Sequence, residues 1–222
     1  MAALKETLKT AYLHLPHVRR NRKRHVLAMR AQYDYTCPTP CIFSENGAGG
    51  IMSQNLKLES LSPTAGLWLS APDLVKLVCN LPHYLALTPQ ILKASDAPYP
   101  VAMLDDITLH LNHFSDAGAA IKTWERKKER VDFDNLFVVT SENGLTKADM
   151  GRLLAANLKG LVIFTAKERP DIPHTFCLKQ YETQAAVGAY SVTGLDGLRP
   201  FEREFNYANW LCGREHLRIG KQ

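Results

Sequence analysis

Two short segments of this chain are apolar at every position, and they constrain the fold more than any other feature. They read Leu-Phe-Val-Val at 136–139 and Leu-Val-Ile-Phe at 161–164. A strand with one face in water alternates apolar and polar residues, so unbroken apolar runs indicate strands covered on both faces. Such strands are typical of a parallel sheet that is flanked by helices.

Strand and helix patterns alternate along most of the remaining sequence. Strand-like runs occur at 41–44, 101–104, 107–114 and 176–178, and helical periodicity occurs at 51–58, 73–80, 115–131 and 146–158. Ser70 and Thr146 are placed to cap two of these helices. The alternation predicts an α/β protein with a layered, Rossmann-like fold and a mostly parallel central sheet.

A turn-rich connector, Thr-Cys-Pro-Thr-Pro-Cys at 36–41, divides the chain into two predicted parts. Residues 1–36 are predicted to form a basic helical arm, and residues 37–222 the α/β domain. The formal net charge is +5, and much of the excess lies in the arm. Residues 17–30 contain no acid and six basic residues: Arg19, Arg20, Arg22, Lys23, Arg24 and Arg30.

The basic arm predicts an anionic partner, unless it is simply a solvated helix face. Cationic segments are attracted to the anionic inner leaflet of a membrane, and this run has no aromatic residue for base stacking, which disfavours nucleic acid. No apolar run reaches the roughly 18 residues that span a bilayer, and the N-terminus lacks a signal-peptide pattern. We therefore expect a cytoplasmic protein, peripheral at the inner face of the membrane through Arg19, Arg20, Arg22, Lys23 and Arg24.

A glycine-rich loop follows the first predicted strand and reads Ser-Glu-Asn-Gly-Ala-Gly-Gly at 44–50. A loop between a strand and a helix can present backbone N–H groups to an anion. Its spacing matches no named phosphate-binding motif, so a tight turn without a ligand is the alternative. If the loop binds substrate, the residues involved are Ser44, Asn46, Gly49 and Gly50.

Other polar residues follow the ends of predicted strands. Thr140 and Ser141 end one apolar strand, and Thr165 and Lys167 follow the other. Because the carboxyl ends of parallel strands meet at one edge of a sheet, we expect these side chains and the glycine-rich loop to share one cleft. Lys167 is the candidate there for binding phosphate.

The predicted helix at 115–131 carries a cationic row formed by Lys122, Arg126 and Arg130. These residues recur every fourth position and therefore lie on one side of a helix. The row is either a solvated face that pairs with neighbouring glutamates or a binding site for a phosphate or carboxylate. In the second interpretation Arg126 and Arg130 bind substrate.

The segment 105–114 contains the candidate catalytic residues. If it is one strand, Asp106 and His110 share a face opposite three apolar residues. Four residues of extended strand span roughly 13 Å, so the two side chains do not bind one metal ion, and no metal site is predicted. Either Asp106 or His110 is a candidate general base for an acceptor hydroxyl.

Five ordered blocks of this sequence resemble domain-of-unknown-function family 1919. They are SENGAGG at 44–50, SPTAGLWL at 62–69, YPVAMLDDITLH at 99–110, WERKKERVDFDNLFV at 124–138 and FTAKERP at 164–170. Members of that family occur in bacterial capsule and exopolysaccharide gene clusters, so the resemblance implies surface-polysaccharide synthesis. It covers roughly residues 41–212 and leaves the basic arm outside. The family loop resembles S-N-N-C-x-G-G, and Gly47 stands here at the cysteine position, so no thiol nucleophile is expected.

These features together predict a transferase of capsule or exopolysaccharide synthesis that uses an activated sugar donor. The alternatives are an acyltransferase that modifies a polysaccharide and a non-catalytic subunit that binds glycan or a partner. The transferase interpretations imply a nucleotide-sugar or a coenzyme A thioester, with its phosphates held by Gly49, Gly50 and Lys167. The sequence assigns no firm cofactor and does not fix the oligomeric state.

Overall fold

The computed structural model describes residues 10–93, 96–114 and 116–220. These residues belong to two compact units. The smaller unit joins the N-terminal segment up to Cys37 to the segment that starts at Gly188, and the larger unit is Pro38–Val187. The division predicted from the sequence, an arm at 1–36 and a domain at 37–222, stays a prediction.

Helices and strands are interspersed along the described part of the chain. The helices are α1 (Pro16–Gln32), α2 (Ala48–Leu56), α3 (Ala71–Cys79), α4 (Leu81–Ala86), α5 (Ala117–Lys128), α6 (Lys147–Ala155), α7 (Pro200–Glu204) and α8 (Tyr207–Leu211). The strands are β1 (Cys41–Ser44), β2 (Gln90–Ile91), β3 (Val101–Leu104), β4 (Ile107–His110), β5 (Leu136–Ser141), β6 (Gly160–Thr165) and β7 (Thr175–Cys177). Over residues 10–93, 96–114 and 116–220, no helix combines the length and hydrophobicity that a membrane span needs.

A parallel sheet of four strands forms the centre of the larger unit, in the spatial order β1–β5–β6–β7. Every residue of β1 and β5 is buried, which explains why these strands show no polar alternation. The register pairs Cys41 with Leu136 and Val138 with Leu161. The predicted α/β class, with Rossmann-like layers around a parallel sheet, is confirmed.

A second sheet belongs to the same hydrophobic core but is antiparallel, in the order β2–β3–β4. Its residues Ala102 and Leu109 pack into one cluster with Leu74 of α3, Trp124 of α5 and Val138 of β5. The burial of Trp124, predicted from its helical spacing, is confirmed. The core of the larger unit therefore lies between the two sheets and the helices that connect them.

The two predicted helix caps are confirmed. Ser70 Oγ accepts a hydrogen bond from the Asp73 N–H at 3.1 Å. Thr146 caps α6 and forms a capping box with Asp149. These bonds satisfy backbone N–H groups that have no partner inside their helices, so they fix where α3 and α6 begin.

The strand predicted at 107–114 is too long, because β4 ends at His110. Asp105 and Asp106 form the two-residue turn that joins β3 to β4, with Leu104 paired to Ile107. Asp105 has a φ of 57°, in the left-handed region that aspartate tolerates better than most residues. Asp106 therefore precedes β4 rather than lying within a strand that also contains His110.

A buried carboxylate connects the two chain segments of the smaller unit. Glu202 of α7 is fully buried and forms ion pairs with Arg22 of α1 and with Arg199. Burial raises the pKa of Glu202, but Arg22 and Arg199 together have the larger effect, so its pKa lies below the ordinary value. The ionised carboxylate thus holds α1 against α7.

The change Glu202→Gln keeps the shape of this side chain and removes its charge. We expect the free energy of unfolding at pH 7 to fall by about 3 kcal/mol, because two arginines lose a buried counter-ion. The folded-state pKa of Glu202 is depressed, so its stabilisation is complete above the unfolded pKa of about 4.3 and is lost as the pH falls further. Urea denaturation across this pH range measures both effects.

The difference between wild type and Glu202→Gln should therefore shrink below about pH 4. Glu204→Gln is the matched control, because Glu204 pairs with Arg218 in a more exposed ion pair. We expect this substitution to lower the free energy of unfolding by less than about 1 kcal/mol. If Glu202→Gln loses the same amount of stability at low pH as at pH 7, packing and not charge is responsible for the loss.

Candidate functional site

The carboxyl ends of the parallel strands lie at one edge of the sheet and carry a buried carboxylate, Glu45. Glu45 directly follows β1, and its two carboxylate oxygens accept hydrogen bonds from β5. The Ser141 N–H donates at 3.0 Å and the Thr140 hydroxyl at 3.2 Å. Glu45 therefore joins the ends of β1 and β5, and sequence reasoning missed it although it directly follows a buried strand.

The loops after β5 and β6 are also held by their own polar side chains. Glu142 accepts a hydrogen bond from the Ala166 N–H at 2.7 Å and pairs with Arg169. Asn143 makes two hydrogen bonds with the backbone of Val187. Lys167, predicted to bind substrate, follows at this edge and is exposed, and the Thr165 hydroxyl is buried with no hydrogen-bond partner in the described part of the chain.

Hydrogen bonds within the glycine-rich loop fix its conformation. Ser44 Oγ accepts a hydrogen bond from the Gly49 N–H at 3.1 Å, and Asn46 Oδ1 accepts one from the Ala48 N–H at 2.9 Å. Two N–H groups that a phosphate would use are thus already bonded within the loop. A Cβ on Gly49 would lie 2.9 Å from Ile42 Cγ2 and 3.0 Å from the Ile42 carbonyl oxygen, so Gly49 lets α2 approach β1 closely.

The predicted cationic row is partly taken up by bonds within the protein. Both carboxylate oxygens of Glu59 bind Arg130, which lies two residues beyond the end of α5, and Arg126 is exposed on α5. The helix predicted at 115–131 is therefore too long at its carboxyl end. Their neighbour Lys127 donates from Nζ to the carbonyl oxygen of Ala65 at 3.4 Å. Arg126 and Arg130 are therefore not a free pair, because Glu59 already binds Arg130.

Asp106 and His110 lie at opposite ends of β4, so the structure does not bring this predicted pair together. The carboxylate of Asp106 accepts a hydrogen bond from the Tyr84 hydroxyl at 2.7 Å and pairs with Lys76 at 2.9 Å. The hydrogen bonds from Tyr84 and Lys76 lower the pKa of Asp106 below its ordinary value. Asp106 is thus a stabilised anion and a weak base.

His110 belongs to a group of three aromatic side chains, Trp68, Tyr99 and His110, which we call the aromatic cluster. The backbones of Trp68 and His110 exchange two hydrogen bonds of 2.9 and 2.8 Å, and their ring centroids are 4.3 Å apart. Tyr99 meets His110 edge-on at 5.9 Å. Trp68 is 41% exposed, although a tryptophan is highly buried on average. An exposed indole on a rigid strand pair is typical of a binding surface.

Burial makes His110 a neutral base. It lowers the pKa of His110 below the ordinary value of 6.5 and outweighs the opposing effect of the Asp73 carboxylate. The Nδ1 atom of His110 is buried and has no hydrogen-bond partner among the described residues. Because buried polar atoms normally have a partner, this nitrogen indicates a site for a ligand or a water molecule. An imidazole that is neutral near pH 7 can accept a proton.

The aromatic cluster adjoins the carboxyl edge of the parallel sheet. Leu69, the neighbour of Trp68, donates its N–H to the carbonyl oxygen of Glu45 at 2.9 Å. Pro72, at the start of α3, lies against Gly144 in the loop after β5, because a Cβ built on Gly144 would be 3.6 Å from Pro72 Cγ. The segment that follows Trp68 thus joins the cluster to the edge where α/β sheets bind their ligands.

Sequence reasoning missed Trp68 and Tyr99. The signal for Trp68 was present, because it lies between Leu67 and Leu69, which are both buried, and alternation in an extended segment then directs the indole outward. The signal for Tyr99 was weaker, because nothing in the local sequence pairs it with His110.

The five cysteines are free thiols. Burial raises the pKa of Cys41 to about 12, so this thiol stays protonated and acts as a core residue. In the three described ranges, no group of three or more His, Cys, Asp or Glu side chains is arranged to hold a metal ion.

Fold and site together define an α/β protein with an aromatic cluster beside the carboxyl edge of a parallel sheet. The chain belongs to the family described as domain of unknown function (DUF1919), whose model matches residues 19–212. It is also 28% identical over 192 residues to an uncharacterized protein of Haemophilus influenzae, with 86% of this chain and 92% of that protein covered. The resemblance seen in the sequence is confirmed, but its expected start is wrong. The match begins at residue 19, so most of α1 lies inside the family.

Because Gly49 lets α2 approach β1 closely, a larger residue at this position should destabilise the protein. Gly49→Ala should lower the free energy of unfolding by about 2 kcal/mol, because the new methyl group meets both a side chain and a backbone oxygen of Ile42. Gly50→Ala is the matched control, since its Cβ would meet only Ala65 Cβ at 3.7 Å, an ordinary contact. Thermal denaturation of the two variants compares them directly, and equal melting temperatures would refute the packing role of Gly49.

Proposed function

We propose that this protein is a transferase of bacterial surface-polysaccharide synthesis that uses an activated sugar donor and acts in the cytoplasm. In this proposal the aromatic cluster holds a sugar ring. The observation that carries the proposal is the exposed indole of Trp68 packed on a neutral His110. A sugar ring has an apolar C–H face and a rim of hydroxyl groups, so it matches an aromatic ring that has a hydrogen-bond acceptor beside it.

His110 is the general base of the proposed reaction. It accepts the proton of an acceptor hydroxyl while that oxygen attacks the anomeric carbon of the donor. The bond between the anomeric carbon and the donor phosphate breaks, and the phosphate leaves with both electrons. Asp106 is not the base in this proposal, because Tyr84 and Lys76 already stabilise its charge. The exposed Lys167 is the candidate to neutralise the leaving phosphate.

A second candidate is a non-catalytic subunit that binds glycan through the same aromatic cluster. The observation that favours it is the internal bonding of the other polar groups at the sheet edge. Ser44, Asn46 and Glu142 all bond within the protein. The two candidates differ in whether His110 supports turnover or binding alone.

Trp68→Ala tests the sugar site that both candidates share. We expect at least about ten-fold weaker binding of the nucleotide-sugar or oligosaccharide that binds the wild type, because a stacked aromatic ring is lost. Isothermal titration calorimetry against panels of both ligand classes measures this. Phe133→Ala is the matched control, since Phe133 is 47% exposed in the same unit and lies outside the cluster. Unchanged affinity in Trp68→Ala, or an equal loss in Phe133→Ala, would rule out the site.

His110→Gln separates the two candidates. For a transferase we expect kcat to fall about 100-fold with little change in sugar affinity. The wild-type rate should be constant above the lowered pKa of His110 and should fall once the pH drops below that pKa, as the imidazole gains a proton. His113→Gln, an exposed histidine three positions away, is the control.

Rates of sugar transfer to an acceptor, measured across pH, provide the readout for His110→Gln. If no donor is consumed by the wild type while Trp68→Ala still weakens glycan binding, the binding subunit is the correct assignment. A rate that is the same in His110→Gln and wild type would exclude His110 as the base.

A further inference from the structure

The smaller unit contains a groove of about 420 Å³ along one side of α1. The α1 residues that line it recur at helical spacing and share one face: Val18, Arg19, Arg22, Lys23, Val26, Leu27 and Arg30. Arg199 lines the groove from the C-terminal segment. We propose that this groove binds the phosphate headgroup of a membrane lipid. The proposal concerns the smaller unit alone and does not rest on the function proposed for the larger one.

The groove carries an excess of positive charge. Five of its lining side chains are cationic, and none of the described residues that line it is acidic. The buried Glu202 offsets part of this charge by pairing with Arg22 and Arg199. Arg19 and Lys23 are exposed, lie one helical turn apart, and have no ion pair within the described ranges. Two cations therefore remain to bind an anion from solution.

Apolar side chains stand beside these cations and indicate where the phosphate comes from. Val26 lines the groove, and Leu27 next to it is 52% exposed. Tyr12 and Leu15, just before α1, are also exposed. A free phosphate or a nucleotide would use the cations and leave these apolar groups in water. A lipid uses both, because its headgroup meets Arg and Lys while its acyl carbons cover Leu, Val and Tyr.

The test is flotation of the full chain with vesicles of phosphatidylcholine alone or with phosphatidic acid, a lipid that has a phosphate monoester headgroup. We expect binding only when phosphatidic acid is present. Arg19→Gln/Lys23→Gln should lower the partition coefficient about thirty-fold, since each basic residue near the surface contributes about one factor of five. Arg20→Gln/Arg24→Gln removes the same charge from exposed positions of α1 outside this groove and should lower it no more than about three-fold.

Leu27→Ser tests the apolar part of the groove with the charge unchanged, and we expect vesicle binding to weaken several-fold. Equal losses in the two double variants would overturn the groove as the binding site. Full competition by inorganic phosphate at the ionic strength of the assay would assign the site to free phosphate instead of lipid. Failure to float, combined with binding of an RNA oligonucleotide that depends on Arg19 and Lys23, would overturn the lipid assignment as well.

Discussion

The parallel pairing of β1 with β5 is the contact on which the rest of the larger unit depends. Cys41 pairs with Leu136 at its amino end, and Glu45 bonds to Thr140, 95 positions away in the sequence, at its carboxyl end. All of the chain between the two strands is therefore one crossover. It contains the antiparallel sheet, whose residues share a core with β1 and β5. The crossover leaves β1 at the carboxyl edge and enters β5 at its amino end. The hydrogen bond from the Leu69 N–H to the Glu45 carbonyl oxygen keeps Trp68, and with it His110, beside the carboxyl edge.

The buried carboxylate of Glu45 specifies the register in which β1 pairs with β5. A carboxylate loses much hydration free energy on burial, and Glu45 recovers it through donors at fixed positions on β5. A slip of one residue would turn Thr140 to the other face of the sheet and remove one of those donors. Apolar strands such as β1 and β5 tolerate many registers by hydrophobicity alone. Glu45 therefore supplies the specificity that the apolar residues lack, and this stabilises one arrangement of the sheet edge.

The central sheet and the caps of α3 and α6 could be predicted from the sequence because each depends on local chemistry. The turn at Asp105 and Asp106 could also have been found. The most deeply buried positions change from even numbers, at Ala102 and Leu104, to odd numbers, at Ile107 and Leu109, although Val101 at the start of β3 is buried as well. One continuous strand cannot make that change, whereas a two-residue hairpin requires it. The signal was weak because the turn lacks the glycine that normally marks such hairpins.

The aromatic cluster could not be predicted, because Trp68 and His110 pair only through the tertiary structure. The hairpin of β3 and β4 helps to hold Trp68 and His110 together. At its turn, Asp106 bonds to Tyr84 and Lys76, and Asp105 lies 2.7 Å from His83. These bonds anchor the turn to α3 and α4. Because β4 is only four residues long, fixing the turn at its start also fixes its other end, where His110 lies. Asp106 thus helps to hold β4 in place so that His110 stays positioned beside Trp68, whereas burial lowers the pKa of His110.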